Sequence, residues 1–365
     1  MSLKAGIVGL PNVGKSTLFN AITKKHILVA NYPFATIDPN VGVVTVPDKR
    51  LAKLEEIYVP EEVKPATVEF VDIAGIVKGA SVGEGLGNKF LSHIREVDAI
   101  VEVVRCFNDK EITHVEGTID PIRDVEIINL ELALADLEII NNRIEKIAKK
   151  AETTKDKDAL IETTALKKSK EALEKNIPLR LIEYTKEELL AIKSYNFLTQ
   201  KPHIYLANIS EDEINKENEY VDKLKEYANK ENAKVIIVSA KIESELAELN
   251  DDDKYEMLNE LGIDQSGLDK LIEATYSLLG LKTYFTCGPK EVKAWTYIDG
   301  MNAKECAGII HTDFEKGFIK AEVISYEDLI NSGNELKVKE DGKLRIEGKE
   351  YLMQDGDICH FRFNL

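Results

Sequence analysis

Lys4-Ala-Gly-Ile-Val8-Gly9-Leu-Pro-Asn12-Val13-Gly14-Lys15-Ser16-Thr17 joins a short apolar run to the pattern G-x-x-x-x-G-K-[ST], and its reading decides the fold. The apolar run reads as a strand, and Ser16 to Thr23 reads as the helix that follows it. Between them the glycines let successive backbone N–H groups turn inward around phosphates, and the helix directs its positive dipole end at the same anion. Asn12, Val13, Gly14, Lys15, Ser16 and Thr17 are therefore expected to hold a nucleoside triphosphate. Lys15 would reach the outer phosphates, where it assists the chemistry, and the Ser16 hydroxyl would ligate Mg2+.

Outward from this loop, strand-like runs recur at Lys4 to Val8, Val41 to Val46, Thr67 to Ile73, Ala99 to Val104, His203 to Ala207 and Lys234 to Val238. Most alternate with helical stretches, which predicts a largely parallel α/β sheet, with one antiparallel pairing between the second and third runs. The third run ends in Asp72-Ile-Ala-Gly75, a D-x-x-G in which Asp72 can hold the metal through water and the Gly75 amide can meet the γ-phosphate. Thr36, in the loop before the second run, can complete the metal shell. These positions separate a switch-type nucleotidase from a metabolic kinase.

The base-reading loop should follow the fifth run. Switch GTPases carry N-K-x-D there, and no N-K-x-D occurs in this chain; the position holds Asn208-Ile209-Ser-Glu211. The guanine-reading carboxylate has become one methylene longer, and the lysine has become an isoleucine that can pack on a base. Adenine lacks the 2-amino donor and presents an N6 donor where guanine has the O6 acceptor, so the change points to weakened guanine preference and to ATP. Ser239 and Ala240, followed by Lys241, would complete the base pocket through their backbone.

The residue after D-x-x-G is Ile76, where Ras-like enzymes place the glutamine that orients the attacking water. An alkyl group cannot orient water, so another residue or a partner must act, or hydrolysis is slow. Candidates lie in the loop from Phe107 to Pro121, which contains His114, and in the glycine-rich stretch Gly79 to Gly87. His93 sits in a helical stretch and is expected to pack or cap.

Between the fourth and fifth strands Leu130, Leu134, Leu137, Asn141, Ile144, Ala148 and Ala151 follow steps of four and three, the spacing of a coiled-coil seam. A second helix from Ala159 to Lys175 would complete an antiparallel hairpin, inserted at about residues 128–200 of a nucleotide domain spanning 1–280. From Arg143 to Lys175 there are ten basic and seven acidic residues, which fits either a contact surface or a solvated charged face. Residues 281–365 turn to short β-rich runs with Asp-Gly turns at 299–300, 341–342 and 355–356, a separate small α+β domain.

The 365 residues, 44% hydrophobic and 31% charged, are ordinary for a soluble protein of two or three domains. A net charge of −17 argues against a general nucleic-acid coat but leaves room for a local basic patch. The opening sequence has no cleavable signal arrangement, no apolar run reaches membrane-spanning length, and the chain is expected to be cytoplasmic. Four dispersed cysteines suggest neither zinc nor disulfides.

Taken together, Gly9 to Thr17, Asn31-Tyr-Pro-Phe-Ala-Thr-Ile37, Asp72 to Gly79, Gly83-Glu-Gly-Leu-Gly-Asn88 and Asn208 to Glu211 resemble the Obg-like ATPase family, known in bacteria as YchF. The resemblance covers nearly the whole chain and includes Tyr284 to Thr296, which looks like a TGS domain. It implies a TRAFAC-class, Ras-like P-loop NTPase domain with a mostly parallel sheet, an inserted helical hairpin and a C-terminal β-grasp domain. It further implies Mg2+-dependent ATP hydrolysis, association with the ribosome and its large subunit through RNA and protein, and a role in translation or stress. By matching position, Ser16 and Thr36 ligate Mg2+, Asn208, Ile209 and Glu211 surround the adenine, and His114 is the catalytic histidine. The chain is expected to act as a monomer, away from membranes. The rival readings are an Obg-type GTPase of ribosome assembly and a nucleotide-sensing adaptor whose hydrolysis is incidental.

Overall fold

Twelve strands among the described residues form two six-stranded sheets. The structure, a computed structural model, describes residues 3–26, 40–73, 86–109, 112, 114, 117–154 and 156–364. In chain order the strands are β1 Lys4–Gly9, β2 Val41–Thr45, β3 Glu62–Lys64, β4 Thr67–Asp72, β5 Ala99–Arg105, β6 His203–Asn208, β7 Lys234–Val238, β8 Leu281–Cys287, β9 Glu291–Ile298, β10 Phe318–Ser325, β11 Arg345–Glu347 and β12 Asp357–Phe363. The helices that matter most here are α1 Lys15–His26, α2 Lys49–Tyr58, α3 Leu86–Arg95, α4 Pro121–Thr154 and α5 Lys157–Glu174.

The first sheet runs β2-β4-β1-β5-β6-β7. β5 and β6 are buried at every residue, as parallel strands covered on both faces must be, whereas the edge strand β2 alternates. The β1–β4, β1–β5, β5–β6 and β6–β7 pairs are parallel. β2 and β4 run antiparallel: Asp72 N donates to Asn40 O while Val46 N donates to Ala66 O, so one number rises as the other falls. All six strand-like runs read from the sequence are strands here. Successive strands leave β1 toward β4 on one side and from β5 onward on the other, which puts the topological switch point, and the ligand crevice that goes with it, at the ends of β1 and β5.

α4 and α5 form the expected antiparallel hairpin. Arg143 forks onto Glu162 at 2.7 and 3.1 Å, and one turn further on Ile147 packs on Ala159. The seam read from the sequence holds at Leu137 and Ile144 but fails at Leu130 and Leu134, while the side chains of Ala148 and Ala151 lie outside the described residues. Leu130 and Leu134 are 48% and 39% exposed, and the buried line runs through Ala133, Leu137, Ile140, Ile144 and Ile147. The displacement has a polar cause: Asp136, fully buried, accepts from Leu198 N (3.0 Å), Thr199 N (2.8 Å) and Thr199 Oγ1 (2.8 Å), which fixes the face α4 turns to the returning chain. Burial raises the Asp136 carboxyl above the ordinary range, with the donors from Thr199 and Leu198 opposing it.

The second sheet runs β11-β10-β12-β8-β9-β3, with β12 parallel to β8 and antiparallel pairs β8–β9, β10–β12 and β10–β11. Without β3 this is the β-grasp order. Its core gathers Tyr284, Tyr297 and Phe361 against Ala303, Cys306 and Ala307, and both buried tyrosine hydroxyls donate to carbonyls, Tyr284 to Cys306 O and Tyr297 to Met353 O. Gly300, Gly342 and Gly356 all have positive φ, as their Asp-Gly turns require.

The compact units divide the chain differently from a cut after residue 280. One consists of Met1–Gly42 with Glu69–Leu271, the other of Val43–Val68 with Ile272–Leu365. β3, which has no counterpart among the strand-like runs, pairs in parallel with β9 as the sixth strand of the second sheet. In the same unit Arg50 of α2 bonds Asp355 at 2.8 Å, and Tyr58 donates to Glu335 at 2.6 Å.

Candidate functional site

The phosphate loop closes as the glycine spacing requires. Asn12 and Gly14 have φ of 65° and 93°, and a Cβ on Gly14 would collide with Asn208 Nδ2, so both backbone angle and space demand glycine there. α1 begins at Lys15, and the side chains of Ser16 and Thr17 at its first turn are exposed. The Lys15 ammonium rests on the Asp72 carboxylate at the end of β4, where both are mostly buried. A phosphate entering the loop competes with that carboxylate for the ammonium.

Ser16 and Asp72 together offer a hydroxyl and a carboxylate, the hard oxygen donors that suit a magnesium ion carrying its own waters. Gly75, Ile76, Thr36 and the stretch Gly79 to Gly85 lie outside the described residues. His93 is exposed on α3.

The base end is organised by Asn208. Its Nδ2 donates to Val13 O at 2.8 Å and its Oδ1 accepts from Ala240 N at 2.9 Å, with the side chain 2% exposed. The sequence reading placed Asn208 around the base; in the structure its amide braces the phosphate loop against the turn after β7. The Ala240 N–H is thereby spent, so the backbone offers no donor at this point for a guanine O6. Ile209 is buried with Cys106 and Val221 and still borders the cleft. Glu211 is paired with Lys241 at 2.6 Å, an exposed ion pair that engages one of its two carboxylate oxygens. Ser239 is buried, and its hydroxyl has no hydrogen-bond partner among the described residues.

These groups surround a cleft of about 520 Å³, which also takes in Phe107, Asn108, Asp109 and Ile112. The sequence reading assigned this loop to hydrolysis rather than to the base. Buried Arg105 accounts for its shape: Nε donates to Phe107 O (3.2 Å), Nη1 to Ile112 O (3.0 Å) and Nη2 to Asp109 O (3.1 Å). An arginine ending a buried strand that is apolar but for Glu102 was the available sign.

His114 is not among the residues lining that cleft, and neither are Lys15, Ser16 and Asp72. Its side chain is 5% exposed, and Nε2 is 2.8 Å from Asp124 Oδ2 in the first turn of α4. That turn is set by Asp120, which caps the backbone N–H groups of Ile122 and Arg123, and by Pro121 at the first helical position. Arg123 Nε and Nη2 approach the other oxygen of Asp124 at 3.3 and 2.9 Å. Asp124 was not singled out from the sequence.

Comparison with known proteins shows what the chain as a whole is similar to. A family model described as "50S ribosome-binding GTPase" matches residues 4–143, and the C-terminal model of YchF GTPases, described as "Protein of unknown function", matches residues 281–364. The "Ribosome-binding ATPase YchF" of Bacillus subtilis is 61% identical, that of Haemophilus influenzae 57% and that of Escherichia coli O157:H7 52%, each match covering both chains in full. The solved structure described as the Schizosaccharomyces pombe YchF GTPase superposes with a TM-score of 0.90 at 43% identity, covering 99% of this chain and 98% of that one.

Proposed function

The chain belongs to the YchF family, and on that premise we propose that it is a ribosome-binding ATPase, hydrolysing ATP to ADP and phosphate in the cleft between the phosphate loop and the turns after β6 and β7. The observation that carries the adenine preference is the base end: Ala240 N–H is held by Asn208, and Lys241 sits on one oxygen of the longer Glu211 carboxylate, so both groups that would read guanine already have partners. An adenine needs neither.

In this reading Asn12 to Thr17 cradle the phosphates through their backbone N–H groups, and Lys15 exchanges Asp72 for the outer phosphate oxygens. Ser16, Asp72 and Thr36 hold Mg2+, which neutralises phosphate charge, and Gly75 meets the γ-phosphate. His114 orients the attacking water. With Ile76 in place of glutamine and His114 buried, intrinsic turnover is low, because positioning supplies much of the rate in this chemistry. The protein works on the ribosome in the cytoplasm as a regulator of translation or stress response; among the described residues no helix is long and apolar enough to cross a membrane.

Paired titrations with ATP and GTP test the base assignment, and tighter GTP binding would return the chain to the Obg-type GTPases. Sedimentation with purified ribosomes under ATP, ADP and no nucleotide, at several salt concentrations, tests the partner. Binding that ignores the nucleotide at every salt would refute a nucleotide-driven cycle.

A further inference from the structure

The loop that carries His114 is clamped on both sides of it. Toward β5, Arg105 holds the carbonyls of Phe107, Asp109 and Ile112. Toward α4, Arg123 donates to Thr118 Oγ1 at 2.9 Å and to Thr118 O at 2.5 Å while its fork supports Asp124. His114 O also accepts from Gly117 N at 3.1 Å, in a turn whose φ of 77° glycine takes without strain. Between the clamps the imidazole and the Asp124 carboxylate meet at 2.8 Å, with side chains 5% and 4% exposed.

A carboxylate can only accept, so Nε2 carries a proton and donates it, and the bond holds the ring in one place. That place is the wrong one for hydrolysis. Water attacking a terminal phosphate must be reached by an imidazole that is open to the site, and this ring is 5% exposed and engaged on Asp124. A triphosphate displaces Asp72 from Lys15 by competing for the ammonium. A phosphate oxygen can accept from the imidazole only after the ring leaves its buried place on Asp124.

We propose that Asp124 is a positioning residue that stows His114 away from the bound nucleotide, so that opening the His114–Asp124 pair limits intrinsic turnover. The inference rests on the reading of His114 as the water-orienting residue. Arg123 and the capped first turn of α4 make the stowed position firm, and any contact that shifts that turn releases the ring.

The test is steady-state hydrolysis by the full chain with Asp124→Asn, which keeps size and one acceptor but loses the charge. The expected result is a kcat raised on the order of ten-fold, about the net worth of one charge-assisted hydrogen bond, with the KM for ATP unchanged. The gain should vanish in the His114→Ala background. A kcat that falls or stays level in Asp124→Asn, or a gain that survives without His114, overturns the proposal. His114→Ala with full turnover overturns the reading beneath it as well, whereas lost turnover in His114→Ala without a gain in Asp124→Asn refutes the stowing alone. A second measurement needs no substitution at Asp124: ring ¹⁵N spectra of the unaltered nucleotide-free protein, assigned with His114→Gln, should show an Nε2 proton protected from solvent exchange. A ring with no proton on Nε2, or a freely exchanging one, would refute the pair.

Discussion

The two ends of the nucleotide cleft are prepared to different degrees. At the base end Asn208 already ties Val13 O to Ala240 N, Lys241 already holds Glu211, and Arg105 already shapes the loop that carries Phe107. At the phosphate end the two cationic or ionisable groups assigned to chemistry both lie against carboxylates, Lys15 on Asp72 and His114 on Asp124. Recognition thus costs little rearrangement, while catalysis requires two pairs to open. The incoming phosphate can open the first; the second depends on the loop and on the first turn of α4. A protein built this way reports which nucleotide it holds more readily than it destroys it.

The largest effect should come from Lys15→Ala, which removes the phosphate-end cation outright: turnover is expected to fall on the order of 10²–10³-fold, measured as phosphate release under saturating ATP. Retained turnover would mean that the phosphate end does not use this cation. Next comes Asn208→Ala, which leaves Val13 O and Ala240 N without their partner. At about 1–3 kcal/mol for an unsatisfied buried group, ATP affinity should weaken by roughly 10–100-fold in calorimetry. Unchanged affinity would show that the base end is not braced as described.

A smaller shift is expected from Glu211→Asp. Shortening the side chain draws the carboxylate back from Lys241 toward the cleft, and the ratio of GTP to ATP affinity should rise by roughly 3–10-fold, on the order of one recovered hydrogen bond. A ratio that moves toward ATP would place the discrimination elsewhere in the cleft. The smallest effect belongs to Arg143→Ala, far along the hairpin in a partly exposed pair with Glu162. Stability should change by about 0–1 kcal/mol in denaturant unfolding, with nucleotide affinities unmoved. A change in either affinity would mean that the hairpin feeds back on the cleft.

Much of the base and phosphate ends was legible in the sequence because their chemistry is dictated residue by residue. Gly14 must take a positive φ under Asn208, and the absence of N-K-x-D stood in plain view at Asn208-Ile-Ser-Glu211. The stowed histidine was not legible in the same way. Asp124 looks like any acid in the first turn of a helix, where the dipole alone would favour it, and only the fold brings His114 onto it. The hairpin was readable, but its seam was misplaced, since the small residue Ala133 fills the buried line while Leu130 and Leu134 face outward. The strand β3 is three residues long and has no apolar alternation to announce it.

The pairing of β3 with β9 also sets an order of events during synthesis. Residues 43–68 belong to a unit whose remaining parts begin at residue 272, so this early segment leaves the ribosome without its partners. At ordinary elongation rates of about 5–20 residues per second, Glu62 to Lys64 wait roughly 10–45 s for Glu291 to Lys293. A fragment cut after residue 280 would keep α2 and β3 yet never supply the sheet they complete. The smaller folding unit is thus the last to close although one of its pieces is among the first to be made.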